Sequence, residues 1–358
     1  MFRRASRVLG IALSVALFAW VLYIADVRRL LQFLAETSIS AFVLTVLLGY
    51  LAIPLRVLQW QLLLGRAPEV TNYIALKSIC LGHLGNFLLP MRGGELVRTV
   101  VMARATGIPI PRVLVSMVLS RIQDLPVIAC VLGIFFIFVP VSTEAVDRSG
   151  EIMGIVLPSI STELSLASHL MAVSALASAV GLLFCYRLSG RIVDFIKRTS
   201  SLVPHRFSSP LVRFFEGVDE GMRVVGDTSY FWASQVISAL CWVIYTVSPV
   251  PLLLAFGMDF KTACLTALSK TAITTVAHLL PSAPGTIGTF HAFCLVSVLA
   301  VNPQMDTDAA LAYVFLAHII SVLSPAIPGL LFLPAASNEF FNIRLASLGE
   351  ATKTVSKR

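Results

Sequence analysis

LGHLGNFLLPMRGGELVRTVVM, residues Leu81 to Met102, decides how the rest of the chain is read. Apolar sequence surrounds it, yet Pro90, Gly93 and Gly94 interrupt the helical pattern and Arg92, Glu95 and Arg98 follow at once. Proline removes a backbone donor and clashes with the preceding helical turn. At membrane depth, irregular backbone is tolerated only where protein buries it or water reaches it. A charge beside such a break is a functional-site hypothesis by default. A second interruption, AHLLPSAPGTIGTFH from Ala277 to His291, repeats the pattern: Leu280-Pro281, then Pro284 and Gly285 to Gly288.

The composition around the breaks sets the class. Of 358 residues, 57% are hydrophobic and only 13% charged, and the mean hydropathy is +0.87. Soluble domains carry about 25% charged residues. The chain therefore reads as an all-α polytopic membrane protein, one integral domain over residues 1–335 followed by a basic cytoplasmic tail, 336–358. The formal charge of +8 is spread over loops and tails, as expected when Lys and Arg are kept on the cytoplasmic side. No Lys/Arg run is interleaved with aromatics, so no nucleic-acid partner is expected. Cys80, Cys130, Cys185, Cys241, Cys264 and Cys294 lie in or beside apolar segments without CxxC spacing. They read as small buried hydrophobes, with no disulfide framework and no metal site.

In chain order the apolar runs predict about six full transmembrane helices: Val8 to Ala25, Ser40 to Leu64, Arg112 to Val139, Ala167 to Tyr186, Ser229 to Phe256 and Thr307 to Pro334. The first run exceeds the ~7–15 residues of a signal-peptide core, and no small-x-small site follows it, so it is read as an uncleaved helix. Arg3, Arg4 and Arg7 before it, and Arg187, Arg191, Lys197, Arg198, Arg206, Arg213 and Arg223 in a later loop, place both segments in the cytoplasm. The acidic loop from Val141 to Leu166 faces outside. Arg344, Lys353, Lys357 and Arg358 bring the tail back, so both termini are expected in the cytoplasm of a bacterial inner-membrane protein. Arg28 and Arg29 fall outside, against the rule. Each broken region must then make an even number of crossings. The simplest solution is two re-entrant helical hairpins entering from opposite faces, the plan of an inverted repeat whose broken segments build a transport site.

Arg56, between Pro54 and Gln59-Trp60, can snorkel to the inner interface or face a binding site. Arg92, Glu95 and Arg98 share one face of a helix restarted after Gly94. They can neutralise one another beneath the membrane, or offer two guanidiniums to a phosphate, whose oxygens the arginine fork matches bidentately. The restarted helix adds unpaired amides, and Glu95 would hold the arginines without ligand. Arg121 and Asp124, one turn apart, read as an intrahelical ion pair or as an extension of the polar path. Lys270 reads as an exposed charge at a helix end or as the counterpart in the second broken region. His83, His278 and His291 lack ligand spacing and read as polar packing. Ser282, Thr286 and Thr289 can satisfy backbone freed by the prolines. The sequence holds no HExxH, GxSxG or P-loop, so neither enzymatic activity nor a cofactor is expected.

Four segments carry a family resemblance: Arg56 to Leu64 (RVLQWQLLL), Asn86 to Arg98 (NFLLPMRGGELVR), Ser120 to Leu125 (SRIQDL) and Leu280 to His291 (LPSAPGTIGTFH). Together they resemble the flippase-like family, also called the lysylphosphatidylglycerol synthase transmembrane-region family, over most of the chain. The resemblance implies a helical membrane fold with re-entrant hairpins and a role in moving lipid head groups between leaflets. Members fused to a synthase continue into a soluble aminoacyl transferase domain; none is seen in this sequence, and aminoacyl transfer is not implied. Members often carry Glu where this chain has His291 and an acidic residue where it has Ser120, so no second carboxylate for proton coupling is implied. The expectation is a lipid translocase for a phosphate-bearing lipid or lipid-linked sugar. Arg92 and Arg98 would bind the phosphate. Arg56, Asn86, Arg121 and Lys270 would line the path, and Glu95 and Asp124 would orient the arginines. Pro90, Gly93, Gly94, Pro281, Pro284, Gly285 and Gly288 would shape the hairpins. Expected partners are anionic or phosphate-linked membrane lipids, and lipid-synthesis proteins beside them. The other reading is a non-catalytic assembly factor or a membrane-embedded enzyme in glycolipid or hopanoid synthesis.

Overall fold

The computed structural model describes residues 2–65, 67–89, 93–139, 187–188, 190–195, 198, 205–277 and 282–334. The expected span from Ala167 to Tyr186, the acidic loop before it and the basic tail lie outside the described residues. So do Pro90, Arg92, His278 and Pro281.

Every element among the described residues is helical. α1 (Phe2–Ile24) leads into a short amphipathic helix, α2 (Val27–Glu36). α3 (Ile39–Tyr50) and α4 (Ala52–Leu63) make a nearly continuous rod. α5 (Asn72–Leu88) and α6 (Gly94–Thr106) flank the first break, and α7 (Ile110–Phe138) follows. After the amphipathic α8 (His205–Gly226), α9 (Thr228–Val247) and α10 (Val250–Ala255) form another rod. α11 (Phe260–Ala277) and α12 (Thr289–Leu299) flank the second break. α13 (Thr307–His318) passes through a π-helical turn at Ile319–Leu323, and the helix runs on to Pro334.

Four of these rods, Ile39–Leu63, Ile110–Phe138, Thr228–Ala255 and Thr307–Pro334, are 25 to 29 residues long and apolar enough to cross a membrane. A span needs about 20 residues. Their outer faces carry large apolar side chains, Ile137 at 76% and Leu331 at 79% exposure among them. Such surface is a liability in water and needs no cover in lipid. The molecule is a membrane protein. α1 is helical across the first expected span, with its described apolar stretch at Ser14–Ile24. The element order then repeats: rod, helix–break–helix, rod, twice over.

In the first hairpin α5 and α6 run antiparallel at very close range. A Cβ on Gly94 would collide with the Gly82 carbonyl and with Asn86, so only glycine permits this approach. Away from the break, Ala75, Ile79, Met102 and Ala103 pack with Val57, Trp60, Leu64 and Val113. In the second hairpin the Ser269 hydroxyl donates to the Ser297 carbonyl at 2.8 Å, tying α11 to α12. Its base packs on Val21 of α1, Leu30 of α2 and Met305. The turn after Pro284 uses positive φ at Gly285 (66°), Thr286 (54°) and Gly288 (85°). Glycine adopts this region freely, whereas a β-branched threonine there is strained. α1 braces the turn: the Ala283 amide donates to Ser14 Oγ at 2.9 Å.

The bases sit at opposite ends of the rods, and the tips meet. Hairpin one packs where α4 ends and α7 begins. Hairpin two packs where the Thr307 rod begins, beside α2. At the meeting point a Cβ on Gly285 would lie 3.3 Å from the Phe87 ring. On the α2 side Arg29 pairs with Asp306 at 2.7 Å and Asp308 at 3.4 Å. Of the two arginines that break the loop-charge pattern, Arg29 is therefore neutralised by the cap of α13.

Candidate ligand-binding site

Where the tips meet, a cavity of about 320 Å³ opens, within the roughly 300–1,000 Å³ of small-ligand sites. Arg56, Asn86, Arg98, Arg121, Asp124 and Lys270 all line it, brought from α4, α5, α6, α7 and α11. Gly285 and Thr286 of the second break complete the wall. Of the expected site residues, Glu95 stands behind Arg121 as its ion-pair partner, and Arg92 lies outside the described residues.

Asp124 is the hub of one side. Its Oδ1 accepts from Arg56 Nη1 at 2.9 Å, Ser238 Oγ at 2.6 Å and Trp242 Nε1 at 3.0 Å. Its Oδ2 faces Arg121 Nη1 at 3.4 Å. Arg56 also donates to Gln59 Oε1 at 2.8 Å and to the Tyr245 hydroxyl at 3.4 Å. Removing two charges from water costs several kcal/mol per ion unless hydrogen bonds satisfy both partners, and this array satisfies both. Arg56 is therefore turned into the molecule, not out to an interface. Beneath it Gln123 links α7 to Ser234 of α9 at 2.7 Å and to the Phe231 carbonyl at 3.1 Å.

Arg98 is held differently. Its guanidinium carbon lies 3.8 Å from the centroid of Trp60, whose Nε1 is fixed by Ser116 Oγ at 3.0 Å. A cation over an aromatic face is stabilised by about 0.5–2 kcal/mol, but the face offers no acceptor. Arg98 Nε has no hydrogen-bond partner among the described residues, and neither has Asn86 Oδ1. A buried donor and a buried acceptor are thus left unsatisfied on two residues that line the cavity, and each costs about 1–3 kcal/mol. Lys270, which also lines the cavity, is 9% exposed. Its Nζ bonds Ser321 Oγ at 3.1 Å, from the π-helical turn, and lies 6.0 Å from the Phe290 centroid.

Several partnerships differ from the sequence reading. Glu95 pairs with Arg121 of α7, and Arg92 of the expected cluster lies outside the described residues. The Arg121–Asp124 pair within α7 exists, but Asp124 is closer to Arg56. Lys270 is buried in the interior of α11, not exposed at a helix end. His291 packs as expected, against Phe18, Phe315 and His318. His83 lines the cavity, and His318 Nε2 lies 2.8 Å from the Gly285 carbonyl oxygen. Ser238, Trp242 and Tyr245 do not stand out in the sequence. Their i, i+4, i+7 spacing on an otherwise apolar helix is the available signal.

Fold and site together define a polytopic helical membrane protein with a charged cavity between two broken hairpins. The family model for the lysylphosphatidylglycerol synthase TM region matches residues 7–329, and the chain belongs to that family. It is also 24% identical over 331 residues to a protein named Glycosyltransferase AglD from Haloferax volcanii, covering 89% of this chain and 52% of that one. The chain spans about half the length of this curated relative. Family and relative point to lipid or glycolipid metabolism.

Proposed function

We propose that the protein is a non-enzymatic lipid translocase that moves a phosphate-bearing lipid or lipid-linked sugar between leaflets. The observation that carries this reading is a buried guanidinium, Arg98, whose Nε has no hydrogen-bond partner among the described residues, lining a cavity walled by further cations. A guanidinium over Trp60 with a free edge suits a phosphate oxygen, and the Asn86 amide oxygen suits a headgroup hydroxyl. We read the two hairpins as re-entrant from opposite faces and the repeated element order as an inverted repeat, in which a site between broken helices alternates its access.

The test is mass spectrometry of lipids co-purifying with the full chain and with Arg98→Gln. Enrichment of one phosphate-bearing lipid in the wild type and its loss in the variant is expected. Two samples that both mirror the bulk membrane would show that no phosphate is bound at Arg98. The name of the archaeal relative supports a second reading, a membrane-embedded enzyme or assembly factor handling a lipid-linked sugar. Chemical conversion of such a lipid by the purified chain would favour that reading over translocation.

A further inference from the structure

The cations of the cavity are of two kinds. Arg56 is tied to Asp124 and Arg121 to Glu95 and Asp124, and these pairs join α4, α6, α7 and α9. Arg98 and Lys270 are not so tied. Among the described residues neither has a carboxylate within ion-pair distance: Arg98 has the Trp60 face, and Lys270 has one hydroxyl and the Phe290 ring. A buried charge without a counter-ion is strongly disfavoured, so each of these cations calls for an anion from outside the fold. Arg98 belongs to the first hairpin and Lys270 to the second, and both line the cavity that Phe87 and Gly285 also border.

The geometry points to a two-pronged anion site that takes a lipid diphosphate, with Arg98 on one phosphate and Lys270 on the other, while Arg56 and Arg121 serve the network around Asp124. This rests on the phosphate-lipid reading above and adds the class of headgroup. A monophosphate satisfies one prong and leaves the other charge bare. A diphosphate satisfies both and joins the two hairpins through the ligand. Lysine has three donors; Ser321 takes one, which leaves two for phosphate oxygens. Arg98 has an Nε without a hydrogen-bond partner among the described residues.

The experiment is calorimetric titration of the purified full chain with farnesyl monophosphate and farnesyl diphosphate. The wild type should bind the diphosphate about tenfold or more tightly than the monophosphate, as expected when a second buried cation meets its counter-ion. Lys270→Met should bring the diphosphate down to the monophosphate level, with an unchanged size-exclusion profile reporting an intact fold. Lys270→Arg should restore the preference, and Arg98→Gln should weaken both lipids. Equal binding of the two lipids by the wild type, or an equal loss of both in Lys270→Met, would overturn the two-pronged site and leave the phosphate-lipid reading standing. Binding of neither lipid would overturn both.

Discussion

Asp124 shows how a charge can be kept inside a membrane protein: four donors converge on one carboxylate, and each also anchors a different position. Removing one partner of a buried pair typically costs about 3–5 kcal/mol, because the other charge is stranded. Asp124→Leu should therefore lower the thermal midpoint in detergent sharply. Adding Arg56→Met to it should recover much of the loss, a non-additivity expected of residues in direct contact. At this scale the sequence is informative about which residues matter and silent about whom they touch. Arg56 and Asp124 can each be picked out as charges in apolar surroundings, but they lie 68 positions apart. The local alternative, Arg121 to Asp124, is the only pairing that helical spacing can suggest. The burial of Lys270 is hidden for the same reason: the wall that covers it comes from Ser321 and Phe290.

Among the elements, the breaks are legible because proline and glycine leave a local signature. The π-helical turn is not, since IISVL at Ile319–Leu323 is an ordinary apolar run. The first hairpin depends on backbone contact, and Gly94→Ala should abolish folding of the full chain, read as loss of the monodisperse species on size exclusion. Gly133→Ala is the control: a Cβ there meets nothing within 4 Å, so the change should shift the midpoint by less than about 1 kcal/mol equivalent. The cap of α13 makes a pH prediction. Burial pushes the Asp306 carboxyl up, but the Ala309 amide and the Arg29 guanidinium outweigh it and hold the group below the usual carboxylate range. A carboxyl depressed in the folded state stabilises fully above its unfolded value, about 4, and the contribution is lost as pH falls through the lower folded value. Thermal midpoints between pH 7 and 3 should show this loss in the wild type and a smaller one in Asp306→Asn.

For the whole molecule, the class and the doubled order of rod, hairpin and rod are readable from hydropathy and loop charge alone. The closeness of the two tips is not, because it depends on Phe87 reaching Gly285 across more than half the chain. On the proposal that the hairpins are re-entrant from opposite faces, the meeting of the tips has an electrical consequence. A headgroup held there sits part-way down any transmembrane voltage, roughly halfway if the hairpins reach equally deep. Moving one charge through the full drop is worth about 2.3 kcal/mol per 100 mV. For a doubly charged headgroup, each half of the journey would then carry about that same amount. The proposed translocation, measured with reconstituted protein, should accelerate or stall when a potassium diffusion potential is imposed, according to its sign, and indifference to voltage would mean that the travelling headgroup carries no net charge.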